Sequence, residues 1–391
     1  MDVLSRTPRK VLAGRCLQVL LAGLLAICTV SCDGDRAGQK PEARRKGLQV
    51  VTIDNTAPRR DVDGQIIDAH DGCLQLFGSR FYLYGTAYGT NAGYSTANRF
   101  RVYGSPDLQE WTFCGELLKE PPPGVYYRPY VVFNRKTRKY VLWYNWYYKQ
   151  WEGKTGVAIS DTPVGPFSIV NTNVALSRSQ PGDGSLFVDD DGTGYFIYTA
   201  IDRGYTIRIE RLTPDYLGVT GEVSDEICFG SEAPVLFRRN NLYYAVCGPR
   251  CAFCPEGSED MVFISYSPLG PYGKAPTLNR RPESGGPNVW KHGTLALDVP
   301  GGKFALASTN KLIYQNNAPI IPAQQTYIAK IPTAAGPAFI WMADRWQSAP
   351  DGVKGHDLQY WSPPLKFDPD DGTILPIENA AHWDITWSWG D

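Results

Sequence analysis

The chain has 391 residues and a formal net charge of -1, which gives no electrostatic footprint for binding nucleic acid. Hydrophobic residues make up 43%, enough for a sizeable core, and the length permits one large domain or two small ones. With 39 Gly, 30 Pro, 23 Tyr and 11 Trp, the composition suits many short strands and turns rather than helices.

At the N-terminus, Arg6, Arg9, Lys10 and Arg15 precede an apolar run of 12 residues, Val19 to Val30. As a helix this run is about 18 Å long, too short for a comfortable bilayer span. With Ser31-Cys32 and polar DGDRAGQK behind it, residues 1–32 read as a secretory signal. The phrase TVSC resembles a bacterial lipobox with Cys32 as the lipid-bearing residue; ordinary cleavage and an uncut anchor are the alternatives. The expected location is outside the cytoplasm, either secreted or lipid-anchored. Residues 33–60 are a polar linker whose Arg44-Arg45-Lys46 triplet reads as solvated tether.

Six cysteines lie beyond Cys32, and an even set in an exported chain reads as disulfides with open pairing. Cys73 and Cys114 are candidates to close the first structural unit. The C-x3-C-x2-C spacing of Cys247, Cys251 and Cys254 has a zinc-like look, but no His stands nearby as a fourth ligand.

From residue 61 a repeat of strand, turn and Tyr- or Phe-rich strand begins. Its units open at HDGCLQLFGSRFYLYGTAYG, YRPYVVFNRKTRKYVLWYNWYY, DGSLFVDDDGTGYFIYTA, SEAPVLFRRNNLYYAVCG and, less regularly, QQTYIAKIPTAAGPAFIWMADRW. The markers Asp71, Arg128, Asp183 and Glu232 are 57, 55 and 49 residues apart. Such a period, with three or four strands per unit and no amphipathic helix, predicts an all-β chain folded as a five-bladed β-propeller over residues 61–391. Residues 275–322 interrupt the pattern, either as an insertion or as the start of blade five.

In a propeller the first strand of each blade lines the central channel, so the marker residues converge at one mouth. Asp71, Asp183 and Glu232 there would repel one another if all were ionised, and at least one would be pushed upward in pKa. A protonated carboxyl beside an ionised one is the arrangement that hydrolyses glycosidic bonds. The acids of DDDGTG, by contrast, are turn chemistry.

The order HDG…YLYGT, DGSLFVDDDGTGYFIYT, EAPVLF…YY and SPLGPY resembles glycoside hydrolase family 43. RLTPDYLGVTG, SEAP, QQT and FIWMADRW resemble its exo-β-1,3-galactanase-like branch. The resemblance implies a five-bladed propeller that inverts anomeric configuration. Glu232 of SEAP matches the general acid and Asp183 of GDGSLF the acid that tunes it. Asp71 of AHDG, ten residues before Phe81, matches the general base of the wider family. The galactanase-like branch instead has Gly at that position and a Glu in an ERP motif. Here Tyr127 in YRP replaces that Glu, while Gln324 of AQQT matches the branch's Gln.

His70, Tyr127, Arg128, Trp146 and Gln324 are the expected substrate-binding residues. No metal ligand set is assigned. No cofactor is required, although His292 in KHGT resembles a His near bound calcium in some relatives. The expected partner is a polysaccharide or oligosaccharide substrate of a monomeric enzyme. An exo-acting galactan hydrolase is the leading expectation. An α-L-arabinofuranosidase or β-xylosidase is the second, and a carbohydrate-binding propeller that has lost catalysis the third.

Overall fold

The computed structural model describes residues 49–149, 152–258, 260–275, 294–299, 302–307 and 319–387, with the backbone alone at 49, 274–275, 294–299 and 302–307. The signal segment, Cys32, most of the linker and His292 lie outside the described residues. Strand β1 (Gln49–Asp54) precedes the first blade. Blade I contains β2 (His70–Phe77), β3 (Arg80–Ala87), β4 (Arg99–Ser105) and β5 (Thr112–Glu116). Blade II contains β6 (Val125–Asn134), β7 (Lys139–Tyr147), β8 (Lys154–Ser160) and β9 (Ser168–Asn171). Blade III contains β10 (Pro181–Val188), β11 (Gly194–Ala200), β12 (Thr206–Leu212) and β13 (Val219–Val223). Blade IV contains β14 (Ser231–Arg239), β15 (Leu242–Pro249), β16 (Met261–Ser265) and β17 (Gly273–Ala275). A separate hairpin, β18 (Thr294–Val299) and β19 (Gly302–Ala307), forms its own two-stranded sheet. Blade V has three strands, β20 (Gln324–Ile331), β21 (Ala338–Arg345) and β22 (Leu358–Pro364), and β23 (His382–Trp387) follows.

Each blade is an antiparallel meander, and the first strands β2, β6, β10, β14 and β20 touch in a closed ring, with β20 returning to β2. The chain is therefore an all-β five-bladed propeller. Its second strands, such as YVLWYNWY and GYFIYTA, are apolar almost throughout because both faces of a blade pack on neighbours. Tyr84 and Val102 of blade I join Val131 and Trp143 of blade II and Phe196 and Tyr198 of blade III in one cluster. Ile197 and Ile209 of blade III meet Leu236 and Ala245 of blade IV. Val235 and Tyr244 of blade IV meet Ile328 and Trp341 of blade V.

The last seam, between blades V and I, is closed by a ribbon. Strands β1 and β23 pair antiparallel, with Val51 opposite Ile385. Val51, Ile53, Ile385 and Trp387 pack with Leu83 of blade I and Ile340 and Trp361 of blade V. Asn55 ties the ribbon down. Its Nδ2 donates to the carbonyls of Trp361 at 2.9 Å and Ala380 at 3.0 Å, and its Oδ1 accepts from the Trp361 N–H at 3.0 Å.

Cys251 and Cys254 form a disulfide, whereas Cys73 keeps a free, buried thiol. The expected Cys73–Cys114 bridge does not form. The two residues sit on β2 and β5, the first and fourth strands of one sheet. Three strand spacings amount to about 14 Å, twice the Cα reach of a disulfide. The sulfurs of Cys228 and Cys247 lie 3.4 Å apart.

The seam predicts a stability effect. Replacing Asn55 with Ala strands the buried N–H of Trp361, leaves its C=O with Trp383 Nε1 as side-chain donor, and should destabilise the fold by about 1–3 kcal/mol. Chemical denaturation would measure it, and a midpoint equal to the parent's would show that the ribbon does not depend on Asn55.

Candidate active site

The first strands of blades I to IV share one irregularity near their starts. Two residues bulge against one on the neighbouring strand, between His70 and Cys73, Tyr127 and Tyr130, Pro181 and Gly184, and Glu232 and Val235. Asp71, Arg128 and Asp183 lie inside these bulges, and Glu232 immediately precedes its own. Asp71, Arg128 and Ala233 adopt left-handed backbone, with φ of 57°, 55° and 54°. A non-glycine residue there costs about 1–3 kcal/mol and persists only when its surroundings hold it. Bulges re-aim side chains, and here they turn three markers out of the strand pattern toward the channel mouth. The glycine after Asp71 is required, since a Cβ on Gly72 would come within 1.7 Å of the Tyr84 carbonyl oxygen.

The residues converge on a cavity of about 600 Å³ lined by Asp71, Tyr127, Arg128, Asp183, Glu232 and Gln324. Arg128 is 3% exposed and stands between two of the acids. Its Nη2 lies 3.6 Å from Asp71 Oδ1 and its Nε 3.1 Å from Asp183 Oδ2. Asp183 Oδ2 also accepts the Ala233 N–H at 3.2 Å, which links it to the bulge beside Glu232.

Glu232 Oε1 accepts two hydrogen bonds, from the Cys251 N–H at 2.5 Å and from Gln324 Nε2 at 3.0 Å. The Gln324 amide is oriented by Trp346, whose Nε1 donates to its Oε1 at 2.7 Å. With Oε1 so occupied, Oε2 is the oxygen left to carry a proton. Burial pushes Glu232 up to about 7, helped by Asp183 and opposed by the Cys251 N–H, Arg128 and Arg250.

Asp71 is held on three sides. The Tyr88 hydroxyl donates to its Oδ2, Arg128 faces its Oδ1, and its own N–H donates to Asp344 Oδ2 at 2.8 Å. Burial pushes its carboxyl up to about 6; Arg128 and the Tyr88 hydroxyl pull it down, while Asp344 and Asp183 push it up. Tyr88, Asp344, Trp346 and the Cys251 N–H are the functional partners that the sequence reading missed. The Asp344 contact crosses from blade V to blade I over 273 residues, and those of Tyr88, Cys251 and Trp346 join parts of one blade over 17, 19 and 22 residues, beyond any local pattern.

Two expected substrate-binding residues do not line the cavity. His70 is buried beneath Asp71, with Nδ1 2.9 Å from Asp344 Oδ1 and Nε2 3.3 Å from the Gly355 carbonyl. Burial alone would lower its pKa, but Asp344, Asp68 and Asp71 raise it to about 9. It is therefore an imidazolium at neutral pH and donates from both nitrogens. Trp146 stacks on Tyr126 with Lys154 over its ring at 4.9 Å, and its Nε1 donates to the Thr172 carbonyl at 2.6 Å. In YVLWYNWYY the next residue, Tyr147, reaches the cavity instead, because neighbours in a strand face opposite ways. Among the described residues no group of three or more His, Cys, Asp or Glu side chains is arranged to hold a metal ion.

The Tyr88 contact can be tested directly. Changing Tyr88 to Phe removes a donor to the ionised carboxylate, so the Asp71 midpoint should rise above about 6 in a carbon-detected NMR titration. A midpoint that stays or falls would contradict this account of Asp71.

Comparison with known proteins agrees with this architecture. Residues 67–305 match glycosyl hydrolases family 43. An arabinoxylan arabinofuranohydrolase of Bacillus subtilis (strain 168) is 26% identical over 282 residues, covering 58% of this chain and 53% of that protein. One of Paenibacillus polymyxa is 25% identical over 304 residues, covering 66% and 46%. This chain thus spans about half the length of these curated relatives. Among solved structures, the exo-β-1,3-galactanase of Clostridium thermocellum has a TM-score of 0.65 at 24% identity, over 85% of this chain and 66% of that one. That of Phanerochaete chrysosporium with β-1,3-galactotriose has a TM-score of 0.64 at 23% identity, over 85% and 68%. At these identities the structural likeness speaks for the fold alone. The family match covers more than half of the chain, and the chain belongs to glycosyl hydrolases family 43.

Proposed function

We propose that this chain is an exported, exo-acting glycoside hydrolase that inverts anomeric configuration, with galactan-type side chains of plant polysaccharides as substrate. The observation that carries the reading is that Asp71 and Glu232, two carboxyls with raised pKa values, line one cavity. Glu232 gives the proton on Oε2 to the departing glycosidic oxygen. Asp71, ionised, takes a proton from the water that attacks the anomeric carbon from the opposite face. Asp183 holds Arg128 and the Ala233 N–H in place and keeps Glu232 protonated by its charge. No step runs through a metal.

The galactan reading is supported by the branch-like motifs and by Gln324, which bonds the proposed acid. Tyr127 in place of the branch's Glu bears on the sugar more than on the reaction. A second reading, an arabinofuranosidase, is favoured by the two arabinoxylan arabinofuranohydrolases. Export, with Cys32 as the lipid-bearing residue, is supported by the character of residues 1–32 and suits a substrate found outside the cell.

Incubation with β-1,3-galactan, arabinoxylan, arabinan and xylan separates the readings. Free galactose from the first is expected. Arabinose from arabinoxylan would install the second reading, and binding without any product would indicate a lapsed enzyme. The pH dependence of kcat/KM should be bell-shaped. Asp71 must lose its proton, giving an acid limb near about 6, and Glu232 must keep its own, giving an alkaline limb near about 7; the two limbs belong to the interacting pair. Glu232→Gln should lose about 10²–10⁴-fold on unactivated glycosides but far less on a dinitrophenyl glycoside, whose leaving group needs no proton. Asp71→Asn should lose as much on both substrates. A near-parental rate in either variant would remove that residue from the mechanism.

A further inference from the structure

The loop between β15 and β16 holds a four-residue turn, Cys251-Ala252-Phe253-Cys254, bridged end to end. Its first N–H is one of the two donors on Glu232 Oε1, and Phe253 lines the catalytic cavity. Phe253 sits at φ 58°, in left-handed backbone that a side chain of its size seldom adopts. Several contacts from other blades hold it there. Gly93 leaves room for the ring, since a Cβ there would come within 2.4 Å of it. Trp346 meets it edge-on at a centroid distance of 4.9 Å, and Lys354 Nζ lies 3.9 Å from its centre. Gln347 Nε2 donates to its carbonyl at 3.1 Å. Trp346 therefore contacts both supports of the acid, the Gln324 amide and the bridged turn.

We propose that the Cys251–Cys254 disulfide is a positioning element of the active site, which aims the Cys251 N–H at Glu232 and presents Phe253 as a wall for the bound sugar. The inference rests on the acid role given to Glu232. A turn closed across three residues leaves its backbone little freedom, so the N–H stays aligned. Opening the bridge with an added phosphine, which gives two electrons and leaves as its oxide while water supplies the oxygen and the two thiol protons, yields two thiols and releases that N–H. Because this donor pulls Glu232 down, its release moves the alkaline limb of the pH profile upward.

The test compares the full-length chain before and after phosphine treatment, with Cys254→Ser alongside, and verifies the open bridge by thiol alkylation and mass spectrometry. Expected are a kcat lower by about tenfold, an alkaline limb raised by about half a pH unit or more, and recovery of both on reoxidation. An open bridge with unchanged kcat and unchanged limb overturns the proposal. So does a loss of activity in both forms with no movement of the limb, the mark of a merely structural bridge. Glu232→Gln on the dinitrophenyl glycoside separates the two claims. If it behaves as an acid-less enzyme while the limb stays fixed on reduction, only the positioning role fails. If it loses both substrates alike, the acid assignment fails and takes the positioning role with it.

Discussion

The site depends on one buried cation. Arg128 is almost wholly enclosed, and its guanidinium lies between Asp71 and Asp183. Three carboxyls around one cavity cannot all remain ionised away from water without a compensating charge, and an unpaired buried charge is strongly destabilising. Arg128 supplies the charge and, because a guanidinium forks, addresses two acids at once. Its own charged form is favoured by those same acids, which raise its pKa despite burial. The cost falls on Glu232, the acid that no salt bridge to Arg128 reaches, and burial pushes it up to about 7.

Blade V holds the arrangement together from outside it. Gln324 and Asp344 are direct cross-strand partners on β20 and β21. Gln324 reaches across to Glu232 of blade IV, and Asp344 reaches the opposite way to His70 and the Asp71 N–H of blade I. One register pair therefore supports the proposed acid and the proposed base from the blade between them. The seam between blades V and I is the one closed by the terminal ribbon, so the clasp at Asn55 and the geometry of the base share a boundary.

The repeat was legible because every blade solves the same packing problem with the same phrase. Asp71, Arg128, Asp183 and Glu232 stood out as polar residues at a fixed place before apolar runs, and that place is in or just before a bulge in blades I to IV. What the sequence concealed was lateral. Asp344 meets Asp71 and Trp346 meets Phe253 across seams, the Cys251 N–H meets Glu232 from a loop 19 residues on in the same blade, and no local pattern marks such partners. Trp146 shows a second limit. In a strand whose two faces are both apolar, alternation says that neighbours face apart but not which of them meets the cavity, and Tyr147 took that place. Cys73 and Cys114 fail as a pair for a related reason, since proximity in the repeat is not proximity across a four-stranded sheet.

The central claim is that two carboxyls on opposite sides of the scissile bond displace the leaving group with water in a single step. The first-formed anomer reports this directly. Proton NMR of a β-1,3-linked galactosyl substrate, followed from the first seconds of hydrolysis, should show α-galactose appearing before the β anomer grows in by mutarotation. Initial release of β-galactose would mean a double displacement and would contradict the roles given to Asp71 and Glu232.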